Sequence, residues 1–183
     1  MPIRSGPLGL SHSYKTAASR SGNLEPMTNT NPVHRYPTIT PHLGVEDPAA
    51  ALDFYKRAFE AQELVRLALP DGTIAHAEML VGGAHVTLGK AIPEYHLVAP
   101  SPDEPVQVSI TYFTDDADAV YAQAVDAGAT AVTPVADQFH GDRVGSLRDP
   151  FGHRWIVATH LEDVPYDEQQ RRLTEMMGRA PSG

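Results

Sequence analysis

Arg148-Asp149-Pro150-Phe151-Gly152-His153-Arg154-Trp155-Ile156-Val157-Ala158-Thr159-His160 is the stretch from which the fold is read. Asp149-Pro150 and Gly152 supply turn chemistry, since a short acidic side chain bonds its own backbone, proline presets φ and glycine tolerates positive φ. The residues after them are β-branched, aromatic and alternating, so the stretch predicts a tight turn feeding a half-buried strand. A degenerate copy lies 69 residues earlier: Gly83-Ala84-His85-Val86-Thr87-Leu88 matches Gly152-His153-Arg154-Trp155-Ile156-Val157 in its glycine and its alternation. Further upstream, Gly44-Val45-Glu46-Asp47-Pro48 opens a helix at Ala49–Ala61, and Tyr112-Phe113-Thr114-Asp115-Asp116 opens another at Ala117–Ala127. Two copies of strand, helix and further strands imply one architecture built by duplication.

Outward from that pair, the chain divides by composition. Residues 1–35 are rich in Ser, Asn, Thr, Gly and Pro, carry Arg4, Lys15, Arg20 and Arg35 against Glu25 alone, and lack hydrophobic periodicity. They read as a flexible tail or leader, with an upstream start ahead of Met27 as one source. Tyr36–Val45 reads as the first strand, and Leu52, Tyr55 and Phe59 give the first helix one apolar side. Strands are predicted near Glu63–Leu69, Thr73–Val81 and Ala84–Lys90. Pro93, Pro100, Pro102 and Pro105 then mark a linker over 91–105. The second half repeats the plan with a strand at Val106–Thr114, the helix ended by Gly128, and strands near Thr130–Val135, Arg143–Arg148 and His153–His160. The resulting boundaries are a tail over 1–35, one domain over 36–163 (module one 36–90, module two 106–163), and a C-terminal helix and tail over 164–183. Leu173, Met176 and Met177 share a face of that last helix, which is expected to dock on the domain or on a second subunit.

With 183 residues, 42% hydrophobic and 20% charged, the chain has the makings of one well-cored domain. No apolar run approaches the roughly 20 residues of a membrane span. A net charge of -9 repels phosphate backbones and anionic membranes, so neither nucleic acid nor a membrane is an expected partner. The absence of cysteine excludes thiol catalysis and Cys-type zinc sites and agrees with a cytoplasmic location.

Asp53-Phe54-Tyr55, His76-Ala77-Glu78, Asp137-Gln138-Phe139-His140-Gly141-Asp142-Arg143 and Asp149-Pro150-Phe151-Gly152-His153-Arg154-Trp155 resemble phrases of the vicinal oxygen chelate superfamily, the glyoxalase, bleomycin-resistance and extradiol-dioxygenase relatives, and look most like its PhnB-like branch. The resemblance implies an α+β fold in which two βαβββ modules form curved half-barrel sheets around a central cavity. It also implies a homodimer. Metal-using members place one ligand on the first and one on the last strand of each module. Carried over by register, those places fall at Thr40, Thr87, Ser109 and Ile156, none of which is His, Glu or Gln. A divalent metal needs three or four N or O donors of adequate basicity, so no cofactor is expected, and glyoxalase or dioxygenase chemistry is disfavoured.

Period-two alternation places further polar groups on the same inner faces: His42 beside Thr40, His85 beside Thr87, Thr111 beside Ser109, and Arg154 and His160 with Ile156. His76 and Glu78 share a strand face and could act as an oriented general base, though the pair also reads as a rim ion pair. His140 stands in a chemically varied loop at the cavity mouth. The catalytic candidates are therefore His76, Glu78 and His42. The ligand-binding candidates are Thr40, His42, His85, Thr87, Ser109, Thr111, His140, Arg154, Ile156 and His160. The favoured reading is a metal-independent protein that binds a small, planar organic molecule, of the resistance or sequestration type. A metal-independent isomerase, lyase or cyclase is the alternative, and a metalloenzyme with a displaced site built on His42, His85 and Glu78 comes third.

Overall fold

A computed structural model describes residues 36–37 and 39–178. The predictions for residues 1–35, Thr38 and residues 179–183 lie outside the described part. The elements run β1 (His42–Val45), α1 (Pro48–Phe59), β2 (Gln62–Ala68), β3 (Ile74–Val81), β4 (Ala84–Lys90), β5 (Ser109–Phe113), α2 (Ala117–Asp126), β6 (Thr130–Asp137), β7 (Asp142–Arg148), β8 (Arg154–His160) and α3 (Tyr166–Gly178). They build two four-stranded sheets of identical topology, β1-β4-β3-β2 and β5-β8-β7-β6. In each, the first strand runs parallel to the last and the other pairings are antiparallel. The duplication read from the sequence is thus a duplication of sheets.

Local chemistry accounts for the element ends. The Asp47 carboxylate accepts the amides of Ala49 and Ala50 at 3.1 and 3.0 Å, and Pro48 takes the first turn, where no amide proton is needed. Asp116 caps α2 in the same way, through the Ala119 amide at 2.9 Å. The first strand is shorter than predicted, beginning at His42 rather than Tyr36. Pro37 and Pro41 have no amide proton to give a ladder, and the Pro41 carbonyl instead accepts from the Thr87 amide at 2.9 Å. β5 likewise starts at Ser109, leaving residues 106–108 beside Pro105 outside the sheet. The linker holds one 3-10 turn, Pro93–Tyr95, and one isolated bridge, Ile92 to Leu97.

The modules meet through α1, α2 and a buried aromatic cluster. Gln123 Nε2 donates to the carbonyls of Arg57 and Ala58 at 3.0 and 3.2 Å, and Arg57 Nη1 donates to the Ala127 carbonyl at 3.0 Å. Beneath these contacts Phe59 and Trp155 lie 4.6 Å apart between ring centroids, with Tyr55 5.6 Å from Trp155 and Tyr112 5.9 Å from Phe59. Each such side chain contributes about 1.5–3 kcal/mol by leaving water, so this cluster fixes how one module sits on the other.

Asp149 explains why the Asp149–Trp155 phrase reads so distinctly. Its carboxylate, 2% exposed, accepts the amides of Phe151 and His153 at 2.9 Å each, the Tyr55 hydroxyl at 2.7 Å and Trp155 Nε1 at 2.9 Å. One side chain ties the β7–β8 turn, helix α1 and the central indole together. Burial pushes the carboxyl up, yet the hydrogen bonds from His153, Tyr55 and Trp155 outweigh it and hold the group below its ordinary value. At the C-terminus, α3 is tied to the domain through Arg172, which donates to Glu162 at 2.7 Å and to the Phe139 carbonyl at 3.4 Å. Leu173 is half-buried, while Met176 and Met177 stay exposed.

Candidate functional site on the first sheet

Alternation along β1, β3 and β4 sorts the side chains of the first sheet by face. Leu43, Val45, Ala77, Met79, Val81, Val86 and Leu88 enter the core against α1. His42, His76, Glu78, His85, Thr87 and Gly89 therefore share the face without a helix. The register aligns them in rows: Glu78 and His42 both stand opposite Thr87, flanking it on β3 and β1. Every catalytic candidate on this sheet is brought together, and His85 and Thr87 join them. Thr40 lies just before β1, half-buried, its hydroxyl 3.4 Å from the Pro37 carbonyl.

Glu78 is the buried centre of the face, 3% exposed. It accepts the Tyr36 hydroxyl at 2.5 Å and faces His85 Nε2 at 3.2 Å and His76 Nε2 at 3.5 Å. Tyr36 also lays its ring on His85 at 4.8 Å, so the segment before β1 covers the carboxylate from above. Across the row, His42 and His76 stand with their ring planes within 5° of parallel and centroids 6.2 Å apart. Gly89 lies between them on β4, where an added Cβ would come within 3.6 Å of His42 Cε1 and 2.7 Å of the Ala75 carbonyl.

One hydroxyl links His42 to the segment before β1. Thr87 Oγ1 lies 3.1 Å from the Pro41 carbonyl and 2.9 Å from His42 Nδ1. In the arrangement where the hydroxyl donates to the Pro41 carbonyl, Oγ1 accepts from His42 Nδ1–H. That arrangement puts the His42 proton on Nδ1 and leaves the Nε2 lone pair open. Burial and the neighbouring His76 both lower its pKa from 6.5, which keeps the ring neutral near pH 7. A neutral imidazole with a free acceptor nitrogen, on one face with a buried carboxylate, can receive a ligand's O–H or N–H, or take its proton.

The remaining predicted residues fall in two other places. Ser109, Thr111, Arg154 and Ile156 share the corresponding face of the second sheet, where Thr111 stands opposite Ile156 and Ser109 opposite Arg154. Thr111 also lines a cavity of about 130 Å³ with Phe113 and Trp155. His140 and His160 meet at the far end of β7 and β8: His160 Nδ1 is 2.7 Å from Asp142 and its Nε2 3.0 Å from Asp163, and His140 Nδ1 is 3.3 Å from Asp142. Hydrogen bonds donated to Asp142 and Asp163 raise the His160 pKa above 6.5. Two participants escaped the reading of the sequence. Tyr36 looked like one more strand residue, and only the glycine at an inward alternation position could have marked Gly89.

The four places to which the sequence resemblance assigns metal ligands do not suit a cation. Thr87 Oγ1 is engaged by Pro41 and His42, and Ile156 has no donor atom. Ser109 Oγ accepts from the Arg154 guanidinium at 2.7 Å, which sets a positive charge at that corner. Among the described residues no group of three or more His, Asp or Glu side chains is arranged to hold a metal ion. No described helix is long and apolar enough to cross a membrane.

Residues 36–157 match the model of the family described as the glyoxalase/bleomycin resistance protein/dioxygenase superfamily. The Mycobacterium bovis protein Mb0911c is 39% identical over 141 residues, covering 75% of this chain and 93% of that one. Among solved structures, an Arabidopsis thaliana gene product is 30% identical with a TM-score of 0.55 over 67% of this chain and 98% of its own. TioX from Micromonospora sp. ML1 is 29% identical with a TM-score of 0.52 over 67% of this chain and 98% of its own. By its family match and its paired βαβββ sheets, the chain belongs to the glyoxalase/bleomycin resistance protein/dioxygenase superfamily.

Proposed function

We propose that the chain binds a small, planar organic molecule on the polar face of its first sheet, through its own side chains rather than through a bound ion, in the manner of a resistance or sequestration protein of the PhnB-like branch. The observation that carries this reading is His42: a ring engaged at Nδ1 by Thr87 and parallel to His76 across a glycine, on the same face as buried Glu78. A flat group aligned with the two imidazoles can present an O–H or N–H to Nε2 while its faces rest on apolar surface. The hydroxyls, guanidinium and aliphatic side chain at the four corners support a site that works without a metal.

Phenol is a suitable probe, being flat with one donor. Its titration into the ¹⁵N-labelled chain is expected to shift His42, His76, Glu78 and His85, and to lose that effect in His42→Ala. Shifts confined to other parts of the chain overturn the reading.

One observation favours a second reading, a metal-independent isomerase, lyase or cyclase. The same Nε2 can act as a general base, with His76 and Glu78 receiving or returning the proton. Proton exchange into a weakly acidic C–H ligand, lost in both His42→Ala and Glu78→Gln, distinguishes this from binding alone. We further propose a cytoplasmic homodimer, since Leu67 and Phe113, 56% and 60% exposed, leave apolar surface on the helix-free faces for a second copy to cover. A dimer mass by light scattering is the expected result.

A further inference from the structure

The second sheet carries a cation that the other described residues leave without a counter-charge. Arg154 is half-buried on β8, in register between Ser109 of β5 and Arg148 of β7. Its Nη1 donates to Ser109 Oγ at 2.7 Å, and no carboxylate lies within ion-pair distance of it among the described residues. The other described arginines are committed elsewhere. Arg66, Arg143, Arg171 and Arg172 bind carboxylates, while Arg57 and Arg148 bind backbone carbonyls. In a chain of net charge -9, where acids outnumber bases, a guanidinium paired only with a neutral hydroxyl stands apart.

Its surroundings repeat the pattern. Along the same face come Thr111, Ile156, Ser146 and Thr133 in one row and Phe113 in the next, hydroxyls and apolar groups without an acid. The first carboxylate reached along this face is Asp142, opposite His160. That is six residues, or about 20 Å, from Arg154, and both His140 and His160 already hold it. A partly desolvated guanidinium with most of its five donors uncommitted is a fork for a planar anion, and Ser109 holds that fork in place.

We infer that Arg154 and Ser109 form an anion subsite that receives the carboxylate of an aromatic or enolic acid, with the ring lying toward Ile156 and Phe113. The subsite stands apart from the His42 reading of the first sheet: that site accepts hydrogen bonds, whereas this one donates them to negative charge.

Benzoate and its neutral isostere benzamide test the assignment on the full chain by NMR titration. Benzoate is expected to shift Ser109, Thr111 and Ile156 and to bind more tightly than benzamide. Arg154→Gln should weaken benzoate by about tenfold or more and leave benzamide unchanged. Arg154→Lys, which retains the charge but not the fork, should fall between them and also serves if the glutamine variant does not fold. The inference is overturned if benzoate produces no shifts on β5 and β8, if it binds no better than benzamide, or if it binds the variants as well as the parent chain.

Discussion

The two sheets have one topology and one register, and they differ residue by residue on the face that no helix covers. Pairing through Thr87 in the first sheet and Ile156 in the second makes His42 the counterpart of Thr111, Glu78 of Ser146 and His85 of Arg154. The first face is thereby a set of imidazoles around a buried carboxylate; the second is a set of hydroxyls around a guanidinium. On the helix side the counterparts stay apolar, Val86 with Trp155 and Leu88 with Val157, because close packing penalises any change of volume or polarity there. Duplication has kept the faces that hold the fold and released the faces that no helix covers.

The turns before the last strands differ as sharply, and the largest predicted effect lies there. Asp149→Ala strips the Tyr55 hydroxyl, the Trp155 indole and two backbone amides of their acceptor, and is expected to cost about 3–5 kcal/mol in urea unfolding. The matching Gly82-Gly83 turn holds no such side chain. Gly83→Ala, with φ at 79° and nothing near the added Cβ, should cost only about 1–2 kcal/mol. Equal costs would break the comparison. Because the folded-state pKa of Asp149 lies below its ordinary 3.8, its stabilisation is present above that value and is lost as pH falls through the lower one. Asp149→Asn should therefore flatten the acid limb of the stability curve below about pH 4.

Next in size are the ligand effects on the first sheet. His42→Ala should weaken phenol by about tenfold, the worth of one well-placed hydrogen bond. Thr87→Val, which leaves Nδ1–H without its acceptor, should weaken it by only about two- to fivefold by freeing the tautomer. The smallest effect contrasts two histidines. His42 should titrate below 6.5 and His160 above it, the latter because Asp142 and Asp163 favour its protonated form. Whatever stability His160 lends is present below its unfolded pKa near 6.5 and lost as pH rises through the raised value. Asp163→Asn should lower the His160 midpoint by NMR and leave that of His42 in place.

Much of this was legible in the residues. Turn glycines and prolines, Asp-led helices and the period of two placed both sheets and the faces of His42, His76, Glu78, His85, Thr87 and Arg154, because those signals are local. What depends on neighbours distant in sequence was not. That Tyr36 reaches Glu78, or that Asp149 gathers Tyr55 and Trp155, requires contacts spanning 42, 94 and 6 residues. The start of β1 was set too early because alternation alone ignored the missing amide of Pro41. His140 and His160 shared a predicted face with Arg154 or a predicted cavity mouth, yet Asp142 collects both at the sheet's far end, a grouping that only the β7–β8 register reveals.

The most direct test is the protonation of a single ring. Long-range ¹H–¹⁵N correlation of His42 near pH 7 should find the proton on Nδ1 and a lone pair on Nε2, with the Nε2 resonance moving when phenol is added. A proton on Nε2, or an Nε2 resonance indifferent to phenol, would contradict the account.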